Sequence, residues 1–291
     1  MIALTVSLAV FVGITLGLLG GGGSILTVPL LAYVAGMDAK QAIATSLLVV
    51  GVTSAVGAVS HARAGRVQWR TGLIFGTAGM AGAYVGGVLA GFVPGSILLI
   101  GFALMMIATA IAMLRGRRKD VESVELPRIP IVKVVGEGLL VGLVTGLVGA
   151  GGGFLVVPAL ALLGGLPMPV AVGTSLIVIA MKSFAGLAGY LSSVHIDWTV
   201  ALMVAAAAVA GALLGARLTA MVDPDTLRKA FGWFVLAMSA VILAQEIHLA
   251  VGLGAAALTA IGGVMYLVCS RGGSCPLRRL FNAPPLRAAA G

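Results

Sequence analysis

One cation stands where a cation is costly. Lys182 lies near the middle of the apolar stretch 169–191. A charged amine at membrane depth is unfavourable unless it faces a cavity or a partner, so it marks a site by default. The chemistry it offers is attraction of an anion. The competing readings are an internal ion pair, with Glu137 as the candidate partner, and snorkelling of the stem to an interface. Glu137 itself reads either as a proton-coupling carboxylate or as an interfacial acid.

Two glycine-rich turns offer a second kind of chemistry. The first is Gly20-Gly21-Gly22-Gly23-Ser24, preceded by Gly17 and followed by Pro29; the second is Gly149-Ala150-Gly151-Gly152-Gly153, preceded by Gly146 and followed by Pro158. A glycine turn that leads into a helix lets backbone N–H groups approach a ligand and presents the positive end of the helix dipole. Such a turn binds a small anion without a formal cation. Close packing of helices through small residues is the alternative. Thr45-Ser46 and Thr174-Ser175 add hydroxyls, which either donate to the same anion or bond back to their own helix carbonyls. The proposed substrate contacts are therefore Gly20, Gly21, Gly22, Gly23, Ser24, Thr45, Ser46, Gly149, Gly151, Gly152, Gly153, Thr174, Ser175 and Lys182.

These residues need a scaffold, and composition says which. The 291-residue chain is 60% hydrophobic and 9% charged, far below the roughly 25% charged residues of a soluble domain. It reads as an all-α polytopic membrane protein. Apolar stretches fall at 2–19, 24–36, 41–61, 70–93, 95–114, 131–148, 153–165, 169–191, 198–221, 226–244 and 248–269. The first has no basic leader before it and reads as an uncleaved membrane segment. The stretches 24–36 and 153–165 are too short to cross the hydrocarbon and follow the glycine turns directly. They predict half-helices in bent or re-entrant hairpins, buried in protein or lining a wet cavity.

The chain repeats itself. From Gly17 to Gly146 the offset is 129 residues. The same offset relates Thr45-Ser46 to Thr174-Ser175, Ser54 to Ser183, Gly57 to Gly186, Trp69 to Trp198, Gly82 and Gly86 to Gly211 and Gly215, and Thr53 to Lys182. Each repeat holds five apolar segments, and an odd number predicts copies of inverted topology. Basic residues test this, because they collect in cytoplasmic loops. Arg63, Arg66 and Arg70 follow the third segment of repeat one, whereas 192–197 in repeat two has neither Lys nor Arg. Threading the chain with 61–70 inside puts the basic connector and the basic tail inside too. The expected divisions are repeat one at 1–114, a cytoplasmic connector at 115–133, inverted repeat two at 134–245, and a further transmembrane helix with a basic tail at 246–291. The N-terminus is then periplasmic and the C-terminus cytoplasmic, in the inner membrane.

Several functions drop out. The net charge of +9 is spread over short loops and the tail without interleaved aromatics, so it is no nucleic-acid signal. Cys269 and Cys275 read as a reduced cytoplasmic pair, too few for a metal site. His61, His195 and His248 are scattered, and no carboxylate pair stands at helical spacing, so no enzyme, cofactor or metal is expected. Arg217 reads as a snorkelling end residue, and Tyr190, Trp69 and Trp198 as interfacial aromatics. The partners expected are a small anion, the lipid bilayer and, as a candidate, a second copy of the chain.

Gly17-x-x-Gly20-x-Gly22-Gly23 with Pro29, its copy Gly146-x-x-Gly149-x-Gly151-Gly152 with Pro158, and the two Thr-Ser pairs resemble the TauE/SafE sulfite exporter family. The resemblance covers about residues 1–245. It implies a substrate class: a small sulfur-containing or organic anion, such as sulfite or sulfoacetate, crossing the bacterial inner membrane. An anion channel or an accessory protein without transport of its own are the other readings.

Overall fold

The computed structural model describes residues 2–19, 22–115, 131–149, 156, 160, 166, 168–218, 224–247, 254–257 and 259. The expected half-helix at 153–165, the segment 248–269, the connector after Arg115 and the two cysteines lie largely or wholly outside the described residues. Among those residues the chain is helical: α1 (Ile2–Leu19), α2 (Ala39–Arg63), α3 (Trp69–Ala90), α4 (Gly95–Arg115), α5 (Ile131–Val148), α6 (Met168–Tyr190), α7 (Trp198–Leu218) and α8 (Pro224–Glu246). In lipid every backbone polar group must be satisfied within the chain, and an apolar sequence can do this as a helix. Four of these, over 39–63, 69–90, 170–190 and 198–218, are long and apolar enough to cross a membrane.

Glycines set how the helices meet. Gly13 and Gly17 of α1 lie against Ala208 and Ala212 of α7, so that a Cβ on either would overlap the facing carbonyl. From the other side, Gly211 and Gly215 of α7 lie against Val10 and Ile14. Residue numbers climb together, so α1 and α7 run in the same direction. The pair α5 and α3 repeats this contact for contact. Gly142 and Gly146 meet Gly79 and Ala83, while Gly82 and Gly86 meet Leu139 and Leu143. Each of these contacts recurs 129 residues away with the repeats exchanged. Small residues four apart let backbones approach closely, which is how helices hold together where lipid offers no hydrophobic drive.

Helices α2 and α6 instead run in opposite directions. Leu47 lies against Gly186, Gly51 against the Phe184 ring and Gly57 against Leu176. Their crossing therefore falls near Val52 and Met181. Helix α3 runs alongside α6, with Gly72 by Thr174, Gly79 by Lys182 and Gly87 by Gly189.

The principal contacts join one repeat to the other: α1 with α7, α3 with both α5 and α6, α2 with α6, and α4 with α8. The α1–α7 and α3–α5 pairs thus each take one helix from either repeat, and α3 also lies along α6.

The turns at the two ends of the α2–α6 pair also differ. The turn after α2 lies by the start of α6, where a Cβ on Gly173 would overlap the Arg66 carbonyl. The turn between α6 and α7 lies by the start of α2, where Gln41 Nε2 donates to the His195 carbonyl at 3.3 Å. Asp197 caps α7, its Oδ1 accepting from the Thr199 and Val200 amides at 3.0 and 3.2 Å.

Because α1 and α2 run the same way, residues 22–34 carry the chain back between them. The sequence predicts a half-helix over 24–36. The segment found is helical but irregular: a 3-10 stretch (Gly22–Leu26), one α turn (Thr27–Pro29) and a π stretch (Leu30–Val34). Pro29 lacks the N–H that a regular ladder needs. Ile25, Val28 and Leu31 are fully buried in the main core with Ile43, Leu47 and Phe102, so this broken backbone is shielded by protein. Tyr33 Oη, at the end of the segment, donates to Glu246 Oε1 at 3.1 Å.

Candidate functional site

Lys182 is the single residue with a formal charge among the described buried residues; it is 1% exposed, and all the other buried polar side chains of that set carry hydroxyls. It lies on the face of α6 that turns toward α3 and α5. A Cβ on Gly79 of α3 would stand 3.6 Å from Lys182 Cδ and 3.6 Å from the Gly138 carbonyl of α5. The lysine stem thus runs beside Gly79, within ordinary contact distance, where α3, α5 and α6 meet. Lys182 Nζ has no hydrogen-bond partner, so Glu137 is not its counter-ion. A buried ammonium without a partner loses its hydration with nothing in return.

Three hydroxyls share this condition. The Oγ atoms of Ser54 and Ser183 and Thr27 Oγ1 are buried without a hydrogen-bond partner. Ser54 and Ser183 occupy equivalent positions in the two repeats and lie within about one turn of the crossing. The sequence records their equivalence, but nothing in it separates these two from serines bonded back to their own helices.

The structure distributes the expected contact residues along the α2–α6 pair. Gly149 follows α5 in the left-handed conformation, with φ +74°, and its amide donates to the Thr145 carbonyl at 2.9 Å. A glycine is favoured there because other residues carry a Cβ penalty, and a Cβ would also strike Ile43. Ser46 Oγ of α2 donates to the Gly149 carbonyl at 3.2 Å. The Thr-Ser pair of repeat one thus meets the glycine turn of repeat two. Thr45 is buried beside it. The other pair lies elsewhere. Thr174 Oγ1 accepts from the Gln68 amide at 2.9 Å, and Ser175 Oγ donates to the Val172 carbonyl at 2.8 Å. By the α2–α6 register, Thr174 lies across from about residue 59, roughly 20 Å along the helix from Thr45 at 1.5 Å per residue. The two Thr-Ser pairs are not brought together; Lys182 lies between them. Gly22 and Gly23 open the return segment, and Ser24 is fully buried. Gly20, Gly21, Gly151, Gly152 and Gly153 lie outside the described residues.

Tyr190 departs from the interfacial role its position suggests. It is fully buried, and its hydroxyl donates to the Leu147 carbonyl at 2.5 Å, two residues before the second glycine turn. Its phenol satisfies a carbonyl at the end of α5, which the missing next turn of helix leaves free. Trp69 and Trp198, by contrast, begin α3 and α7 and are half exposed. No group of three His, Cys, Asp or Glu side chains gathers among the described residues.

Apolar helices packed through glycines, a buried broken segment and a buried, unpartnered amine define a polytopic membrane protein of the transporter class. The profile of the family described as Sulfite exporter TauE/SafE matches residues 5–242. The chain belongs to that family. It is 34% identical over 237 residues to a probable membrane transporter protein of Xylella fastidiosa strain 9a5c, covering 80% of this chain and 91% of the relative. It is 28% identical to the probable membrane transporter protein YdhB of Bacillus subtilis over 221 residues, 75% of this chain and 90% of the relative. It is also 28% identical to the probable membrane transporter protein MJ0441 of Methanocaldococcus jannaschii over 245 residues, 77% and 90% of the two chains. No solved structure matches.

Proposed function

We propose that this transporter is a secondary carrier for a small sulfur-containing or organic anion, of the sulfite or sulfoacetate kind, in the bacterial inner membrane. The observation that carries this reading is Lys182: a buried amine without a partner, where α3, α5 and α6 meet. An anion would supply the missing counter-charge. The family's description as sulfite exporters supports the substrate class.

The repeats are read as inverted copies. The antiparallel run of α2 and its repeat counterpart α6 supports this, as does the separation of Arg66 and His195 to opposite ends of that pair. The moving bodies are then not the repeats themselves. They are the cross-repeat pairs, α1–α7 and α3–α5 with α6 alongside, which rock against each other so that Lys182 faces each side in turn. The glycine turns and their Thr-Ser neighbours flank the lysine along the transport path, with Ser46 and Gly149 toward one side and Ser175 toward the other.

Counterflow in liposomes tests the function. Vesicles preloaded with unlabelled sulfite or sulfoacetate should accumulate the labelled anion faster than empty vesicles. Flux without trans-stimulation would mean a channel, and no flux of either anion would mean an accessory protein. Topology has its own test. Single cysteines placed at 64–68 and at 191–195 should react with an impermeant maleimide from opposite faces of the membrane; reaction of both from one face ends the inverted reading.

A further inference from the structure

Inside the described part of this molecule there is one formal charge. Lys182 is accompanied in the buried set by Ser and Thr hydroxyls alone, with no buried Arg, His, Asp or Glu. Its Nζ and the Oγ atoms of Ser54 and Ser183 are buried without partners. We infer that the site selects by charge number: it takes a compact oxyanion bearing a single negative charge and rejects the dianion of the same size. This rests on the reading of Lys182 as the substrate's counter-charge and adds the ionic form of the substrate.

Electrostatics sets this preference. A monoanion beside one ammonium makes a neutral pair, and each ion repays part of the other's desolvation. A dianion leaves one charge uncompensated in a low-dielectric interior, where an unpaired charge is strongly disfavoured. Hydroxyls soften this only partly. Ser54 and Ser183 each offer one O–H donor and no formal charge. Shape does little to separate a sulfonate from a sulfate, so charge is the discriminating property. Sulfite and sulfoacetate, which carry two charges when fully ionised, would therefore enter in their singly protonated, monoanionic forms.

Methanesulfonate and sulfate make the test, because they are of similar size and keep one and two charges across the neutral range. The purified full chain is titrated with each at matched ionic strength, and the shift in thermal midpoint is followed. Sulfate also stabilises proteins non-specifically through exclusion from their surface. The shift seen in Lys182→Met, or in Lys182→Thr if the first substitution prevents folding, is therefore subtracted. The expected result is that methanesulfonate half-saturates at a concentration at least tenfold below sulfate, equivalent to about 1.4 kcal/mol. A smaller preference, or a preference for sulfate, overturns the single-charge inference and leaves the anion-carrier reading standing. If neither salt raises the midpoint of the wild-type chain more than that of the chain lacking Lys182, both fall.

Discussion

Lys182→Met should stop anion transport and leave a protein at least as stable as the wild type. Met matches the length of the lysine stem, which packs beside Gly79 and the Gly138 carbonyl. It removes an ammonium that is buried without a hydrogen bond. Replacing buried ionic groups by apolar side chains of similar volume is often neutral or stabilising, by about 1–4 kcal/mol. Uptake, in contrast, should fall at least about a hundredfold, since removing a buried charge partner costs roughly 3–5 kcal/mol of interaction with its counter-ion. Both are measured on one preparation, by thermal unfolding in detergent and by uptake in liposomes. Early unfolding of the substituted chain would mean the lysine holds the helices together. Unchanged apparent affinity for the anion would remove it from the site.

The second large effect belongs to the glycine seams. Gly142→Leu should leave no folded protein, because even a Cβ at this position would overlap the Gly79 carbonyl and the two helices have no way to stay in register. Gly142→Ala should cost about 1–3 kcal/mol, the usual penalty for overpacking. Gly13→Ala should cost about as much, since Gly13 meets Ala208 of α7 in the equivalent way. Gly136→Ala is the control, as nothing lies within 4 Å of a Cβ there. It should be neutral or slightly stabilising through helix propensity. Unfolding midpoints for the three alanine substitutions, with the yield of folded Gly142→Leu, decide the matter. Tolerance of Ala at 142 comparable to that at 136 would show that the seam is not tight.

Much of this architecture can be read from residue types. Hydrophobic runs bounded by Gly, Pro and charges mark the helices, and Lys182 is conspicuous because charge is so rare around it. The equivalence of Gly82 and Gly86 with Gly211 and Gly215 is visible as a repeat. What the repeat does not reveal is the partner. Small residues four apart announce close packing but not which helix arrives, and here it comes from the other repeat. The hydroxyls show the same limit. Ser46 and Ser54 look alike along α2, yet one bonds to Gly149 and the other has no partner, a difference made by a helix distant in sequence. Tyr190 misleads for a related reason. At the end of a membrane helix a tyrosine usually meets headgroups, and only the approach of α5 turns it inward.

The interlocked packing has a consequence for how the protein is made. Helix α1 leaves the ribosome well before α7, yet the carbonyl that Gly13 fits against belongs to Ala208 of α7. At about 5–20 residues per second, the intervening chain takes roughly 10–40 s to synthesise. Throughout that time the glycine face of α1 has no mate, and α3 waits similarly, though more briefly, for α5. The first half of the chain is thus an unfinished object in the bilayer, with its small-residue faces open to lipid or to the wrong helix. Chains cut short within repeat two would remain in that state, and they are the ones a membrane protease should find first.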